Sequence, residues 1–539
     1  MVEVPDDGSS LLEVLRERLG RRSPKDGCSP QGQCGCCTVW VDGAARVACV
    51  TPARRVAGRD ITTLDGLAPE VRAAWADAFT VTGASQCGFC TPGIVMRLAG
   101  LGTRAARGSP DGAPDTAAVE RALLAHVCRC TGWRTVLEAA GRVYGYEVPD
   151  GVTPRDGHGD AGTRGRDLAA AARRATLEGG APQTVGPAVA CGGGGFADDG
   201  APPDALVAVP DGAGGWAVAE TLRDARALVH GVPGRNSTVA LHHPLDLPEG
   251  DWVLTLQTAF VEPAYLEPDA SWCAPGGDPA SPLANGGAFG GKRSSPAPEA
   301  ARRLADEHGR PVRVVLSRED VVRLGPKRPP VAAGVRADGT GIVRVVHTPG
   351  SAPLGAWARA LAEAAPGLVV EEVPVPGPLV SADLRGAGWA EGAVLMGALE
   401  AWRAATVGPG HAVTVQSPGG ARATATVAAD GGVRVAVRAG EVLDEVVLRS
   451  YVTGAVHQAL GWVRSEGVAV DESGAVLDLT MRSFGILTAR DTPPVTVSVE
   501  DDPRPPVPVG DTVFAAVATA AWLAAGLPPR WPVDPGGSP

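Results

Sequence analysis

Eleven cysteines stand in this 539-residue sequence, and nine of them fall before residue 131. Thiolates in tight C-x-x-C and C-x-C spacings are read as metal ligands rather than disulfide partners in a reducing compartment. Cys28, Cys34, Cys37 and Cys49 lie in GCSPQGQCGCCTVWVDGAARVAC, spaced C-x5-C-x2-C-x11-C. Cys87, Cys90, Cys128 and Cys130 lie in QCGFCTPG and CRCTG. Four thiolates suit either one tetrahedral zinc or the two irons of a [2Fe–2S] cluster. In the first group the long first loop and the glycines Gly27, Gly32 and Gly35 favour the cluster. A glycine-rich loop wraps closely and turns backbone N–H groups toward sulfur. Cys36 is the spare, read as a small buried residue, because Cys34 and Cys37 already supply the C-x2-C pair. Each pair of the second group opens a predicted helix, whose free N–H groups and dipole favour a thiolate. On those residues alone zinc remains the alternative.

The elements that must position these ligands follow from periodicity. Residues 1–66 alternate short Val-rich runs with turns and include one amphipathic helix, Ser9 to Gly20, with Ser9 or Ser10 as its cap. A strand after the Asp42-Gly43 turn delivers the fourth ligand, Cys49. Residues 67–148 repeat apolar positions at helical spacing. Residues 149–183 are rich in Gly, Asp and Arg and read as a linker. Residues 184–535 alternate Val-rich strands with Gly and Asp turns. Hairpin signals appear in RVVLSRED, VRADGTGIVRVV, ATATVAADGGVRVAVRA and VAVDESGAVLDL, and helices are predicted at Pro298–His308 and Asp511–Leu523. A chain of this length exceeds one hydrophobic core, so a multidomain α+β architecture is expected.

Composition narrows the partners. Asp and Glu number 60 against 49 Lys and Arg, a net charge of −11, which argues against nucleic acid or an anionic membrane. The N-terminal run is acidic and amphipathic, and no hydrophobic run follows Arg21-Arg22, so no export signal is read there. The longest apolar stretch, Val513 to Leu527, is too short for a bilayer core of about 30 Å. The expected location is cytoplasmic.

The first cysteine group is close to plant-type ferredoxin spacing. Followed by QCGFCTPG and CRCTG, it resembles the iron–sulfur part of the xanthine dehydrogenase, aldehyde oxidase and aerobic CO dehydrogenase family, the molybdenum hydroxylases. The resemblance covers nearly all of residues 1–148. It implies a β-grasp ferredoxin-like domain, a helical-bundle domain and two [2Fe–2S] clusters held by the eight cysteines above. It also implies that Gln86, before the first cysteine of the helical domain, approaches a pterin. Two departures stand out: the first cysteine loop is one residue longer, and the sequence starts at the strand assigned to Val2–Val4, where the family has one before it. Either the start lies further upstream or the sheet lacks an edge strand.

Residues 259–330 resemble the molybdopterin-binding subunit of the same family. Phe260-Val261-Glu262-Pro263 looks like its VEP motif, and Gly286-Gly287-Ala288-Phe289-Gly290-Gly291-Lys292 looks like GGGFGGK. Leu384-Arg385-Gly386-Ala387-Gly388 resembles its RGxG loop, and Val456-His457-Gln458-Ala459-Leu460-Gly461 its pterin-side VQGLG stretch. The resemblance thus nominates Gly287, Phe289, Gly290, Arg385 and Gln458 as cofactor-binding residues; tight turns are the alternative reading of the Gly-rich loops. The family's general-base Glu in VGEP corresponds to Asp511 in Val509-Gly510-Asp511. Asp reaches about 1.5 Å less, and the same position suits a helix N-cap.

This region is shorter than the family's. The function implied is an iron–sulfur component that passes electrons from a molybdopterin site through two clusters to FAD on a partner subunit, with an aldehyde or N-heterocycle as substrate. The alternative is an electron-transfer and assembly subunit whose molybdenum region binds no cofactor and docks a full-length molybdopterin-binding subunit.

Overall fold

The computed structural model describes residues 7–106, 113–146, 148, 165–229, 240–281 and 287–534. The expected strand Val2–Val4 therefore lies outside the described residues. Ser10 caps the first helix by accepting from the Glu13 N–H at 3.2 Å. That helix, α1 (Leu11–Glu13), runs on as a π-helical turn over Val14–Arg18, so it ends short of the expected Gly20. Strands β1 (Thr38–Val41), β2 (Ala44–Val47) and β3 (Ile61–Thr62) form an antiparallel sheet in the order β2-β1-β3. Asp42 and Gly43 link β1 to β2 with φ of 51° and 73°, the double positive φ that a two-residue hairpin turn demands.

Four helices follow: α2 (Pro69–Thr82), α3 (Thr91–Ala106), α4 (Thr116–Leu123) and α5 (Arg134–Tyr144). Trp75, Phe79, Val119 and Leu137 are buried among them, and the Trp75 ring meets Tyr144 edge-on at 5.6 Å. Of the segment expected to be a linker, residues 149–164 lie outside the description. Residues 165–183, in contrast, carry a helix, α6 (Leu168–Gly179), capped by Asp167. Its buried face of Ala171 and Ala175 packs with Val447 and Tyr451. Alanines on one side of a short helix allow close approach, which a reading by Gly and Asp content overlooks.

The remaining elements are α7 (Pro187–Ala190), β4 (Leu206–Pro210), β5 (Trp216–Ala219), α8 (Leu222–Ala227), β6 (Leu254–Gln257), β7 (Ala270–Cys273), α9 (Ala297–His308), β8 (Val312–Val315), α10 (Arg318–Leu324), β9 (Val331–Val335), β10 (Gly341–His347), α11 (Gly355–Ala364), β11 (Leu368–Pro374), α12 (Trp389–Arg403), β12 (Ala412–Gln416), β13 (Arg422–Val427), β14 (Val433–Arg438), α13 (Glu445–Arg464), β15 (Val495–Val499) and α14 (Gly510–Ala524). They build three mixed four-stranded sheets, ordered β5-β4-β8-β7, β11-β10-β9-β6 and β12-β13-β14-β15. The hairpins expected in VRADGTGIVRVV and ATATVAADGGVRVAVRA are β9–β10 and β13–β14. RVVLSRED is instead a strand running into a helix, because Ser317 and Asp320 form a capping box that starts α10. VAVDESGAVLDL closes with a single bridge between Val470 and Val476.

Helix α14 is buried from Thr512 to Leu523, which is why its sequence is apolar on every side. Among the described residues no helix is long and apolar enough to cross a membrane. One hydrophobic core joins Leu11 and Phe79 of the first 148 residues to Phe260, Leu460 and Trp531 of the rest.

Candidate cluster sites and the adjoining cavity

All eight nominated cysteines are buried, and so is Cys36. The loop that carries Cys28, Cys34 and Cys37 turns backbone donors onto sulfur: the Gln31 N–H lies 3.2 Å from Cys28 Sγ and the Cys49 N–H 3.4 Å from Cys37 Sγ. Gly35 makes the loop possible. Its φ is +73°, and a Cβ there would stand 2.4 Å from the buried His126 ring. Cys28 meets the thiols of Cys34 and Cys49, and those contacts hold its own thiol well below the ordinary range.

Cys87 and Cys90 precede α3, and Cys128 and Cys130 precede α5, as the sequence predicts. The four sulfurs fall into two pairs. Cys87 Sγ lies 3.6 Å from Cys130 Sγ, while Cys90 meets Cys128. The Cys90 thiol, with the Thr131 hydroxyl at 3.1 Å and the N–H groups of Thr131 and Cys130, pushes Cys128 down to about 6. Among the described residues no three His, Cys, Asp or Glu side chains converge as around one metal ion. Two thiolates per iron is the donor set of a [2Fe–2S] cluster, and these paired, buried, N–H-supported sulfurs fit it. The two ligand groups also touch, since the Val127 N–H donates to Cys34 O at 3.1 Å, next to Cys128.

A cavity of about 40 Å³ adjoins the second group. Gly287, Phe289, Arg385 and Gln458 line it together, as the sequence nominates. Gly290, at φ +99°, packs beneath instead, where a Cβ would meet Asp383 O at 1.9 Å. Gln458 donates to Arg129 O at 3.0 Å. Gln86 is not in the cavity wall: its amide donates to Cys130 O at 2.8 Å and to Ser450 Oγ at 2.9 Å. Helix α13 presses on the same loop so closely that a Cβ on Gly454 would meet Cys130 O at 1.9 Å.

Several residues of the cavity carry no signal that spacing reveals. Arg129, between two ligand cysteines, makes a bidentate ion pair with buried Glu466 and donates to Pro263 O at 3.0 Å. Arg328 pairs with Glu391 at 2.8 Å and lies over the Trp462 ring at 4.2 Å. The Arg385 guanidinium stacks on Phe289 at 3.8 Å, and both line the cavity. Of these three, Arg385 is nominated by its RGxG resemblance and Arg129 and Arg328 are not; the cue for Arg129 is a cation between two cysteines.

Asp511 stands in the first turn of α14, its side chain half exposed and 3.9 Å from Arg385 Nε. It is not the N-cap. The helix begins at Gly510, with Val509 in the cap position and no side-chain cap of its own. Buried Glu178 of α6 takes that role, accepting from the N–H groups of Val509 and Gly510 at 3.1 and 3.2 Å while pairing with Arg174 at 3.2 Å. Burial pushes the Glu178 carboxyl up to about 6.

The pocket is small and opens to one side. At about 13 Å³ of cavity per water, 40 Å³ holds about three waters, whereas ligand pockets run to several hundred Å³.

Residues 63–141 match the model of the [2Fe-2S] binding domain family. The chain is 40% identical over 132 residues to the xanthine dehydrogenase iron-sulfur-binding subunit of Escherichia coli O157:H7, which covers 24% of this chain and 79% of that subunit. It is also 40% identical over 136 residues to the aldehyde oxidoreductase of Megalodesulfovibrio gigas, a match spanning 25% of this chain and only 14% of that protein. The solved aldehyde oxidoreductase from Desulfovibrio gigas shares the fold at a TM-score of 0.66 and 16% identity, over 99% of this chain and 98% of that one.

Proposed function

Because the chain belongs to the molybdenum hydroxylase family of xanthine dehydrogenases and aldehyde oxidoreductases, we propose that it is a two-cluster electron-transfer subunit that relays electrons between a catalytic partner and FAD on a further subunit. The observation that carries this reading is the pair of buried four-cysteine groups joined by the hydrogen bond from Val127 to Cys34. When bound, [2Fe–2S] clusters supply one-electron transfer. This chain's residues do the rest. Eight thiolates would hold the irons, backbone N–H groups would support the sulfurs, and burial would keep water from them. A ligand residue of one group accepts a hydrogen bond from the residue beside a ligand of the other, which shortens the path between the groups.

Oxidation of an aldehyde or N-heterocycle then belongs to a full-length molybdopterin-binding partner, a division of labour that the small volume of the pocket beside Arg385, about 40 Å³, supports. Metal analysis of the anaerobically purified chain tests both halves of the proposal. The expected result is about four Fe and four sulfides for eight ligands, with no molybdenum. Zinc in place of iron overturns the cluster assignment, and stoichiometric molybdenum overturns the division of labour.

A further inference from the structure

The loop from Cys28 to Cys34 is one residue longer than plant-type ferredoxin spacing, and cluster ligation does not require the extra residue. Two glutamines stand in it, Gln31 and Gln33. Through the backbone both serve the same sulfur: the Gln31 N–H lies 3.2 Å from Cys28 Sγ, and the Gln33 N–H also donates to Cys28, where the two favour the thiolate. Through their side chains both hold one distant turn. Gln31 Oε1 accepts from the Met481 N–H and Gln33 Oε1 from the Arg482 N–H, each at 3.2 Å. The Gln31 amide also donates to Leu479 O at 2.9 Å and to Glu319 Oε1 of α10 at 2.6 Å.

The turn presents those two donors because of how it closes. The Ser483 N–H donates to Thr480 O at 3.0 Å, and the Ser483 hydroxyl donates to the same oxygen at 2.7 Å. Such a turn uses the N–H of its last residue and leaves those of its two central residues, Met481 and Arg482, without an acceptor inside it. Buried Leu479 and Met481 side chains anchor the turn in the hydrophobic core. Gly32, at φ +71° between the two glutamines, gives the loop the freedom to follow it. The loop therefore conforms to the turn, although 450 positions separate Gln31 from Met481.

On the two-cluster reading above, we propose that the turn at 480–483 sets the reduction potential of the Cys28–Cys49 cluster, with Gln31 and Gln33 as positioning residues that hold their own N–H groups on Cys28 Sγ. Reduction adds negative charge to a cluster and its sulfurs. Donors fixed on a ligand sulfur stabilise that charge and raise the potential, whereas donors on a loose loop do so only part of the time. Among the described residues neither glutamine side chain bonds to the second cysteine group, so the effect is confined to the first.

The experiment is a redox titration of the full chain with its clusters, followed by EPR, in the parent, Gln31→Ala and Gln33→Ala. Alanine keeps each backbone N–H and removes the tie to the turn. The first cluster's signal is the one retained in Cys128→Ser. Its midpoint is expected to move to more negative potential in both variants. At a fixed poise the reduced-to-oxidised ratio should fall at least threefold, about 28 mV at 59 mV per tenfold for one electron, while the second midpoint stays in place. Iron content verifies loading; if Gln31→Ala does not hold the first cluster, Gln33→Ala, tied to the turn at one point, is read by itself. An unmoved midpoint in a loaded variant, an equal shift of both clusters, or loss of the first cluster from both variants overturns the proposal. Zinc in place of iron overturns it together with the cluster assignment, whereas two clusters whose potentials ignore both substitutions overturn this inference alone.

Discussion

A serine hydroxyl is a poor substitute for a thiolate, so at the scale of single residues Cys128→Ser is expected to remove one EPR signal and leave the Cys28–Cys49 signal. Cys36→Ala is expected to remove neither. Loss of a signal in Cys36→Ala would reassign the ligands of the CGCC run. Cys36 is nevertheless tightly held, fully buried beside Cys34, so a volume cost of about 1 kcal/mol is expected from its truncation. Asp511→Asn tests the other chemically suggestive residue. Because the side chain is half exposed and caps nothing, the unfolding midpoint should move by no more than about 0.5 kcal/mol in stability. A larger loss would show that its contact with Arg385 carries more than its distance indicates.

Helices depend on partners far away in sequence, and pH reports two of them with opposite sign. Glu178 closes the N-terminus of α14 from α6, and its carboxyl rises from an ordinary 4.5 to about 6 because it is buried. A carboxyl raised in the folded state stabilises below the unfolded value and loses that contribution as pH climbs through the folded one. Stability is therefore expected to fall by about 2 kcal/mol between pH 4.5 and 6.5 from this group, a slope that Glu178→Gln removes. Glu178→Ala leaves the Arg174 charge buried without its partner and should cost about 3–5 kcal/mol. His457 of α13 runs the other way. Burial lowers it from 6.5 to about 4, so its contribution is complete above pH 6.5 and drains away as pH falls toward 4, by about 3 kcal/mol. Urea unfolding of the parent, Glu178→Gln and His457→Gln across this range separates the two slopes.

The cysteine-bearing N-terminal region and the remainder are one packed body in which partly or fully buried ion pairs and hydrogen bonds cross the boundary. Arg16 reaches Asp198 at 2.6 Å, Arg313 reaches Glu17 at 2.6 Å, and Arg318 donates to Gly27 O at 2.7 Å beside the first cluster loop. Arg129 and Glu466 do the same at the second loop. Glu466→Ala strands a buried guanidinium between two ligand cysteines and is expected to cost about 3–5 kcal/mol. Limited proteolysis should then release the C-terminal region sooner, and the Cys87–Cys130 signal should broaden while the Cys28–Cys49 signal holds. An unchanged digestion pattern and spectrum would mean that the apolar contacts alone join the halves.

What the sequence by itself determined were the features whose partners lie within a few residues of one another. The candidate ligand cysteines are legible because a cluster needs thiolates at short, glycine-spaced intervals. The β13–β14 hairpin and the helices after Cys90 and Cys130 are legible because turn chemistry and helical period are local. The π-helical end of the first helix, the strand-to-helix turn in RVVLSRED and α6 inside the expected linker escaped that reading. Only the tertiary structure decided what the glycine-rich loops enclose. Glu178 meets the start of α14 across 331 positions, and Gln86 meets Ser450 across 364, so no spacing rule connects them. The volume left beside Arg385 depends on how three distant segments close on one another, and volume, unlike ligand spacing, is a property that exists only once those segments are packed.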